Sequence, residues 1–244
     1  LAQALGGRAV QEDSAGFAFD ARGEYGYAVV ADGLGGHEAG DLASAAAVAA
    51  AASLWDEDCA YPAVFDGHRF VEDVVAEGHR RVVELNARRG VDAKTTICCV
   101  FVSRDRLVAA NVGDSRIYRM AGGSFERLSR DHTVVEMLVA QGEIEPDAAR
   151  GHPDSSLLTQ VLGGPKAPRP HIVDLDPVAP GERIVLCSDG LWQPLTPARL
   201  ALLARTRSEP AARLAQAAAE AGGPSGDNVT ALVLRREGGG LSAW

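Results

Sequence analysis

Short apolar runs broken by polar turns recur along the chain, in turn with segments whose apolar residues recur at helical spacing. Residues 16–19 and 25–30 are apolar and flank Asp20-Ala21-Arg22-Gly23-Glu24, which predicts a hairpin with a glycine-containing loop. The second run stops at Asp32 and enters Gly33-Leu34-Gly35-Gly36-His37, after which alanine-rich residues 40–55 predict a helix. Asp32 is thereby expected at a strand-to-helix junction. Phe70, Val74, Val75, Val82 and Leu85 recur at helical spacing and predict a helix over 67–88, weakened but not ended by Gly78.

Residues 95–102, 107–112 and 115–120 are β-type, and their short links, Ser103-Arg104-Asp105-Arg106 and Gly113-Asp114, predict an antiparallel meander. A helix is expected over 132–141, followed by a polar excursion over 142–154. Strands are expected over 171–175 and 183–187. Thr196 reads as the cap of a short helix with Pro197 in first position. A helix over 208–221 and a strand over 229–234 complete the pattern, leaving 237–244 as a glycine-rich tail expected to fray. Strands in consecutive runs and helices in pairs favour an α+β fold of antiparallel sheets with helices packed outside. With no repeat or linker in view, one domain over 1–236 is the simplest reading.

Composition narrows the picture. With 46% hydrophobic and 23% charged residues the chain reads as an ordinary globular protein. A formal net charge of −9 argues against nucleic acid as a partner, since such a surface repels phosphate backbones. The longest apolar tract, 43–54, is too short for a membrane span, and the first residues lack the pattern of a signal peptide. The cysteines, Cys59, Cys98, Cys99 and Cys187, form no Cys-x-x-Cys pair, so a reducing, cytoplasmic location is expected.

Acidic residues end β-type runs at Asp32-Gly33 and Asp189-Gly190, stand beside Asn at Asp227-Asn228, and precede the first strand at Glu12-Asp13. One Asp-Gly alone is ordinarily a turn. Several at strand ends can converge at one end of a sheet, where their repulsion has to be offset by hard divalent cations. Arg8 is placed to meet a phosphate oxygen, although an arginine near an acidic pair is more often a surface ion pair. The glycine turn lacks the signature of a phosphate-binding loop and the spacing of a dinucleotide site, which disfavours a nucleotide-binding protein.

Seven stretches in order resemble the PP2C family of metal-dependent protein serine/threonine phosphatases in its compact bacterial form. They are Arg8-Ala9-Val10-Gln11-Glu12-Asp13-Ser14, Ala31-Asp32-Gly33-Leu34-Gly35-Gly36-His37, Thr95-Thr96, Asn111-Val112-Gly113-Asp114-Ser115-Arg116, Ser129-Arg130-Asp131-His132, Ser188-Asp189-Gly190-Leu191-Trp192 and Gly226-Asp227-Asn228-Val229-Thr230. The resemblance implies a four-layer α-β-β-α sandwich with a binuclear Mn²⁺ or Mg²⁺ centre at one end. Asp32 would bridge the metals, the Gly33 carbonyl would complete one of them, and Asp189 with Asp227 would hold the other. Glu12 and Asp13 would support the site, Arg8 would grip the substrate phosphate, and Asp114 would serve a weaker third metal. Gln193 stands where many members carry an acidic residue, which weakens that third site.

The implied reaction is hydrolysis of phosphoserine and phosphothreonine in proteins by a metal-activated water, without a phosphoenzyme. Residues 142–162 match the variable flap beside the family's cleft, and a hydrogen-bonding or structural role is open for His37. The implied partners are phosphorylated proteins and a serine/threonine kinase whose action the chain opposes, with a monomer expected. The alternative is a pseudophosphatase that keeps the fold as a binding module; joint retention of Asp32, Asp189 and Asp227 argues against it.

Overall fold

Strand β1 (Ala2–Ala4) is followed by the expected hairpin, β2 (Asp13–Phe19) and β3 (Gly26–Leu34), in a computed structural model that describes residues 1–34, 39–58, 66–149, 152–237 and 240–243. Helices α1 (Gly40–Asp58) and α2 (Gly67–Arg89) come next, then β4 (Lys94–Thr95), β5 (Ile97–Val102), β6 (Leu107–Val112), β7 (Arg116–Ala121) and β8 (Ser124–Arg127). Beyond α3 (Val134–Gln141) and α4 (Pro146–Ala149) lie β9 (His171–Leu175), β10 (Arg183–Cys187), α5 (Asp189–Trp192), α6 (Pro197–Ala204), α7 (Pro210–Gly222), β11 (Val229–Glu237) and β12 (Gly240–Ala243).

The strands form two sheets. One runs β2-β3-β5-β6-β9 with β4 against β3, the other β1-β11-β10-β7-β8 with β12 against β11, and every pairing is antiparallel. The period of two in a strand decides what lies where. In β3, Ala28 and Val30 point between the sheets and pack with Ile117, Leu186 and Leu232, while Val29 and Ala31 point outward to Phe70 and Val74 of α2. On the far side Val185, Cys187 and Val233 face Leu200 of α6 and Leu214 of α7. The layers are therefore helix, sheet, sheet, helix. Phe70 is fully buried, and its truncation to alanine would cost ~3–5 kcal/mol.

Helix α2 begins at Asp66, whose carboxylate accepts from the amides of His68 and Arg69, and ends at Gly90 in the left-handed conformation. Gly78 has a packing reason: a Cβ there would press on Leu162 at 3.0 Å and on Ala47 of α1. Among the described residues no helix is long and apolar enough to cross a membrane.

Several expectations need correcting. The meander breaks at Gly113: β6 belongs to the first sheet, and β7, three residues on, joins the second. Gly113 has φ +91°, and its backbone N–H and C=O bond reciprocally with His132, so the chain turns out of one sheet and into the other. Helix α3 starts at Val134 rather than at His132, because Thr133 is the cap and accepts from the Glu136 amide. Strand β3 does not stop before Asp32. Backbone and side-chain bonds from Thr95 and Thr96 to the Asp32 carbonyl keep it extended to Leu34.

The tail is not frayed throughout, since β12 pairs with β11 and Leu241 is buried between the sheets. The end of the expected flap is core as well: Leu162 is fully buried and exchanges backbone bonds with Thr95. Cys98, Cys99 and Cys187 are buried free thiols, whereas Cys59 and His37 lie outside the described residues.

Candidate metal centre

Antiparallel pairing brings distant carboxylates to one end of both sheets. Asp13 opens β2 and is the cross-strand partner of Asp32 near the end of β3. In the other sheet Asp189 stands two residues after β10, and Asp227 two residues before β11. Asp114 lies in the crossing between β6 and β7. The charges of Asp189, Asp13, Asp114 and Asp227 all act on Asp32, so these five acids lie close to one another.

Asp13 is buried, with Oδ2 accepting from Ser188 Oγ at 2.7 Å. Ser188 Oγ in turn accepts from the Thr230 amide at 3.0 Å, so this hydroxyl joins the two sheets at the site. Asp32 is positioned through its amide, which donates to Thr96 Oγ1 at 3.0 Å, and Thr96 is itself held by Ser115 at 2.7 Å. Asp189 Oδ2 accepts from Gln193 Nε2 at 2.6 Å. Arg8 donates to Asp227 Oδ2 at 2.7 Å, with both side chains roughly half exposed. The Glu12 amide donates to Asn228 Oδ1, and the Glu12 carbonyl accepts from the Gly33 amide and from Ser44 Oγ.

Gly33 is dictated by closeness of backbone. A Cβ would stand 2.1 Å from the Gly40 carbonyl oxygen and 2.7 Å from that of Glu12, so only glycine lets α1 start this near β3. Steric fit between elements is therefore sufficient reason for the glycine.

Burial is the largest cause of every proton-affinity change here, and mutual repulsion adds to it. Asp189 is pushed up to about 6, Asp13 to about 7 and Asp114 to about 8, while Asp32 lies well above the ordinary carboxylate range. Glu12 is raised as well, by burial foremost. Asp13 Oδ1 and Asp189 Oδ1 are buried and accept no hydrogen bond. A buried carboxylate oxygen without a donor is costly, and a hard divalent cation fits an all-oxygen setting of this kind. Among the described residues no three His, Cys, Asp or Glu side chains form a ready-made cage. A hard divalent cation that keeps some of its own waters needs fewer protein oxygens than such a cage supplies.

The supporting residues were the part least visible in the sequence. Asn228 bonds the Glu12 amide and the carbonyls of Leu5 and Val10, tying the N-terminal segment to the loop that carries Asp227. Its place beside an Asp at a strand start was the available signal. Trp192 Nε1 donates to the Asp114 carbonyl at 3.0 Å, and the Arg116 guanidinium lies 3.3 Å above the Trp192 ring while bonding Asp131 through Nε and Nη2.

Two antiparallel sheets flanked by helices, with carboxylates converging from both, are the architecture of metal-dependent phosphatases. The protein phosphatase 2C family model matches residues 4–221, and the chain belongs to that family. It is 32% identical over 235 residues to the serine/threonine phosphatase stp of Listeria innocua, covering 92% of this chain and 90% of that protein. The crystal structure of the Mycobacterium tuberculosis serine/threonine phosphatase PstP/Ppp superposes with a TM-score of 0.85 at 31% identity, covering 97% of both chains. The catalytic domain of PstP in complex with 2 manganese ions gives a TM-score of 0.74 at 27% identity, over 97% of this chain and 93% of that one.

Proposed function

We propose that this chain is a phosphatase for phosphoserine and phosphothreonine in proteins, working as a cytoplasmic monomer with two Mn²⁺ or Mg²⁺ ions and opposing a bacterial serine/threonine kinase. The observation that carries the reading is the pair of donorless buried oxygens, Asp13 Oδ1 and Asp189 Oδ1, contributed by strand ends of different sheets. Asp32, Asp189 and Asp227 would hold the ions, with the Gly33 carbonyl, Glu12 and Asp13 in support and Asp114 available to a weaker third. Divalent cations in this setting supply positive charge for the phosphoryl oxygens and make water a competent nucleophile near neutral pH.

Arg8 is suited to the phosphate because its exposed ion pair with Asp227 is weak and can be shared with an incoming oxyanion. Thr96 and Ser188 hold Asp32 and Asp13 in place. Nucleophilic catalysis by the described cysteines is disfavoured: burial pushes Cys99 and Cys187 up to about 12 and raises Cys98 far above the usual thiol range. A pseudophosphatase would have little reason to retain so costly a set of buried acids.

The test is Mn²⁺-dependent release of phosphate from a phosphothreonine peptide. EDTA and Asp189→Asn should each abolish it, and full activity in either case would overturn the reading. Asp114→Asn should cost far less than Asp32→Asn.

A further inference from the structure

The ladder between β10 and β11 closes, at the end away from Asp189 and Asp227, on two arginines that face each other. Arg183 opens β10, and its cross-strand partner near the end of β11 is Arg235. Like charges in that position repel. Burial foremost, and Arg235 after it, lowers the proton affinity of the Arg183 guanidinium. With Arg207 from the α6–α7 link and Arg236, these side chains line an open cleft of about 670 Å³, whose wall Pro180, Gly181 and Glu237 complete. Arginine thus outnumbers carboxylate by four to one in the cleft of a chain whose formal net charge is −9.

Structural duties account for part of the cluster. Arg183 Nη1 donates to the carbonyls of Ala204 and Thr206 at the end of α6 and just beyond it. Arg236 donates to the carbonyls of Val178 and Glu24 at 3.4 and 3.3 Å, and Arg235 pairs with Glu237. Glu182, next to Arg183 in sequence, is held by Arg119 at 2.6 Å. A carbonyl orients a guanidinium but leaves its charge unanswered. Among the described residues no carboxylate lies within ion-pair distance of Arg183, Arg207 or Arg236. Arg183 is only 7% exposed, so water does little to compensate it.

Guanidiniums converging on a recess match phosphate oxygens, which accept from their forks in pairs. Apart from Pro180 and Gly181 the wall is charged, so it offers no seat for a nucleobase or an acyl chain. A compact anion of high charge fits it. We infer that this cleft binds a small soluble anion carrying two or more phosphate charges, at the opposite end of β10 and β11 from Asp189 and Asp227. The site is separate from the acids and does not depend on the reaction assigned to them.

The experiment is titration calorimetry of the chain with sodium pyrophosphate in EDTA, where the uncompensated acids at the other end repel anions. Pyrophosphate should bind at a single site, more tightly than inorganic phosphate does. Arg207→Glu and Arg236→Gln should each weaken the Kd by roughly tenfold or more, as loss of a charge-assisted hydrogen bond does. Arg207 is exposed, and Gln at 236 keeps a donor for the Val178 and Glu24 carbonyls, so both variants retain the fold. Arg8→Ala, beside Asp227, should leave the Kd within about twofold of the native value. The inference is overturned by the absence of saturable binding, by an affinity that either cleft variant leaves unchanged, or by one that Arg8→Ala weakens as much as they do.

Discussion

Asp13 and Asp32 face each other as cross-strand partners in the ladder that joins β2 to β3. Like charges directly opposite on a sheet are destabilising, and here Asp13 is buried and its charge helps to raise Asp32. Asp13→Asn keeps the shape and removes one charge. The variant should gain ~1 kcal/mol in EDTA by urea denaturation and lose phosphatase activity with Mn²⁺. Equal destabilisation in EDTA and in Mn²⁺ would mean that repulsion is not the governing effect.

The raised carboxylates also set a pH dependence for the metal-free protein. Groups elevated from the ordinary 3.8 to about 6, 7 and 8 contribute stability that is complete below pH 3.8 and lost as pH rises through that upper window. In EDTA the calorimetric unfolding temperature should therefore fall between pH 6 and pH 8. Mn²⁺ competes with the protons for the same oxygens, so its stabilising effect should be larger at pH 8 than at pH 6. The same Mn²⁺ effect at both values would count against these carboxylates as the binding groups.

The approach of α1 to β3 can be tested at one atom. Gly33→Ala puts a Cβ 2.1 Å from the Gly40 carbonyl oxygen and should cost ~2–3 kcal/mol, with a fall in activity as Asp32 shifts. Gly164→Ala makes only ordinary contacts, the nearest at 3.6 Å to Val161, and should stay within ~0.5 kcal/mol of the native protein. Thermal denaturation of the pair decides whether tight backbone packing is the reason for Gly33.

His132 predicts a separate effect on the acid side. Its Nδ1 accepts the Gly113 amide, and burial foremost, with the nearby His171, lowers it to about 4. The unfolded chain takes up the proton near 6.5 while the folded one resists until about 4, so stability falls as pH drops across that interval, by up to ~3 kcal/mol. His132→Asn supplies a non-titrating acceptor. The difference in unfolding free energy between the two proteins should shift steadily in the variant's favour from pH 6.5 to pH 4, and a pH-independent difference would refute the role.

Local pattern carried far in this chain. The apolar run of β3, the helical spacing of α2 and the Thr196-Pro197 cap all correspond to observed elements, since each reflects contacts between near neighbours. What remained hidden depended on pairing at a distance. A two-residue link looks the same whether the next strand pairs with the last one or crosses to another sheet, and the difference at Gly113 is made by His132, far along the chain. Likewise Leu241 in a glycine-rich tail carries no periodic signal, yet one buried side chain and backbone pairing with β11 suffice for a strand. At the site the acids stood out because they end apolar runs. Ser188, Thr96 and Asn228 did not, because a hydroxyl or amide that positions a neighbour has no spacing of its own.

The bond from Ser188 to Asp13 spans the seam between the two sheets, and the acids it serves come from both sides of that seam. Neither sheet alone contains the site. An intermediate in which one sheet has formed and the other has not would hold half of the acids with nothing to answer them, so catalysis should appear only with the last cooperative step of folding. Recovery of activity after refolding thus reports the docking of one sheet on the other, and a partly melted enzyme would fall silent before its helices are lost.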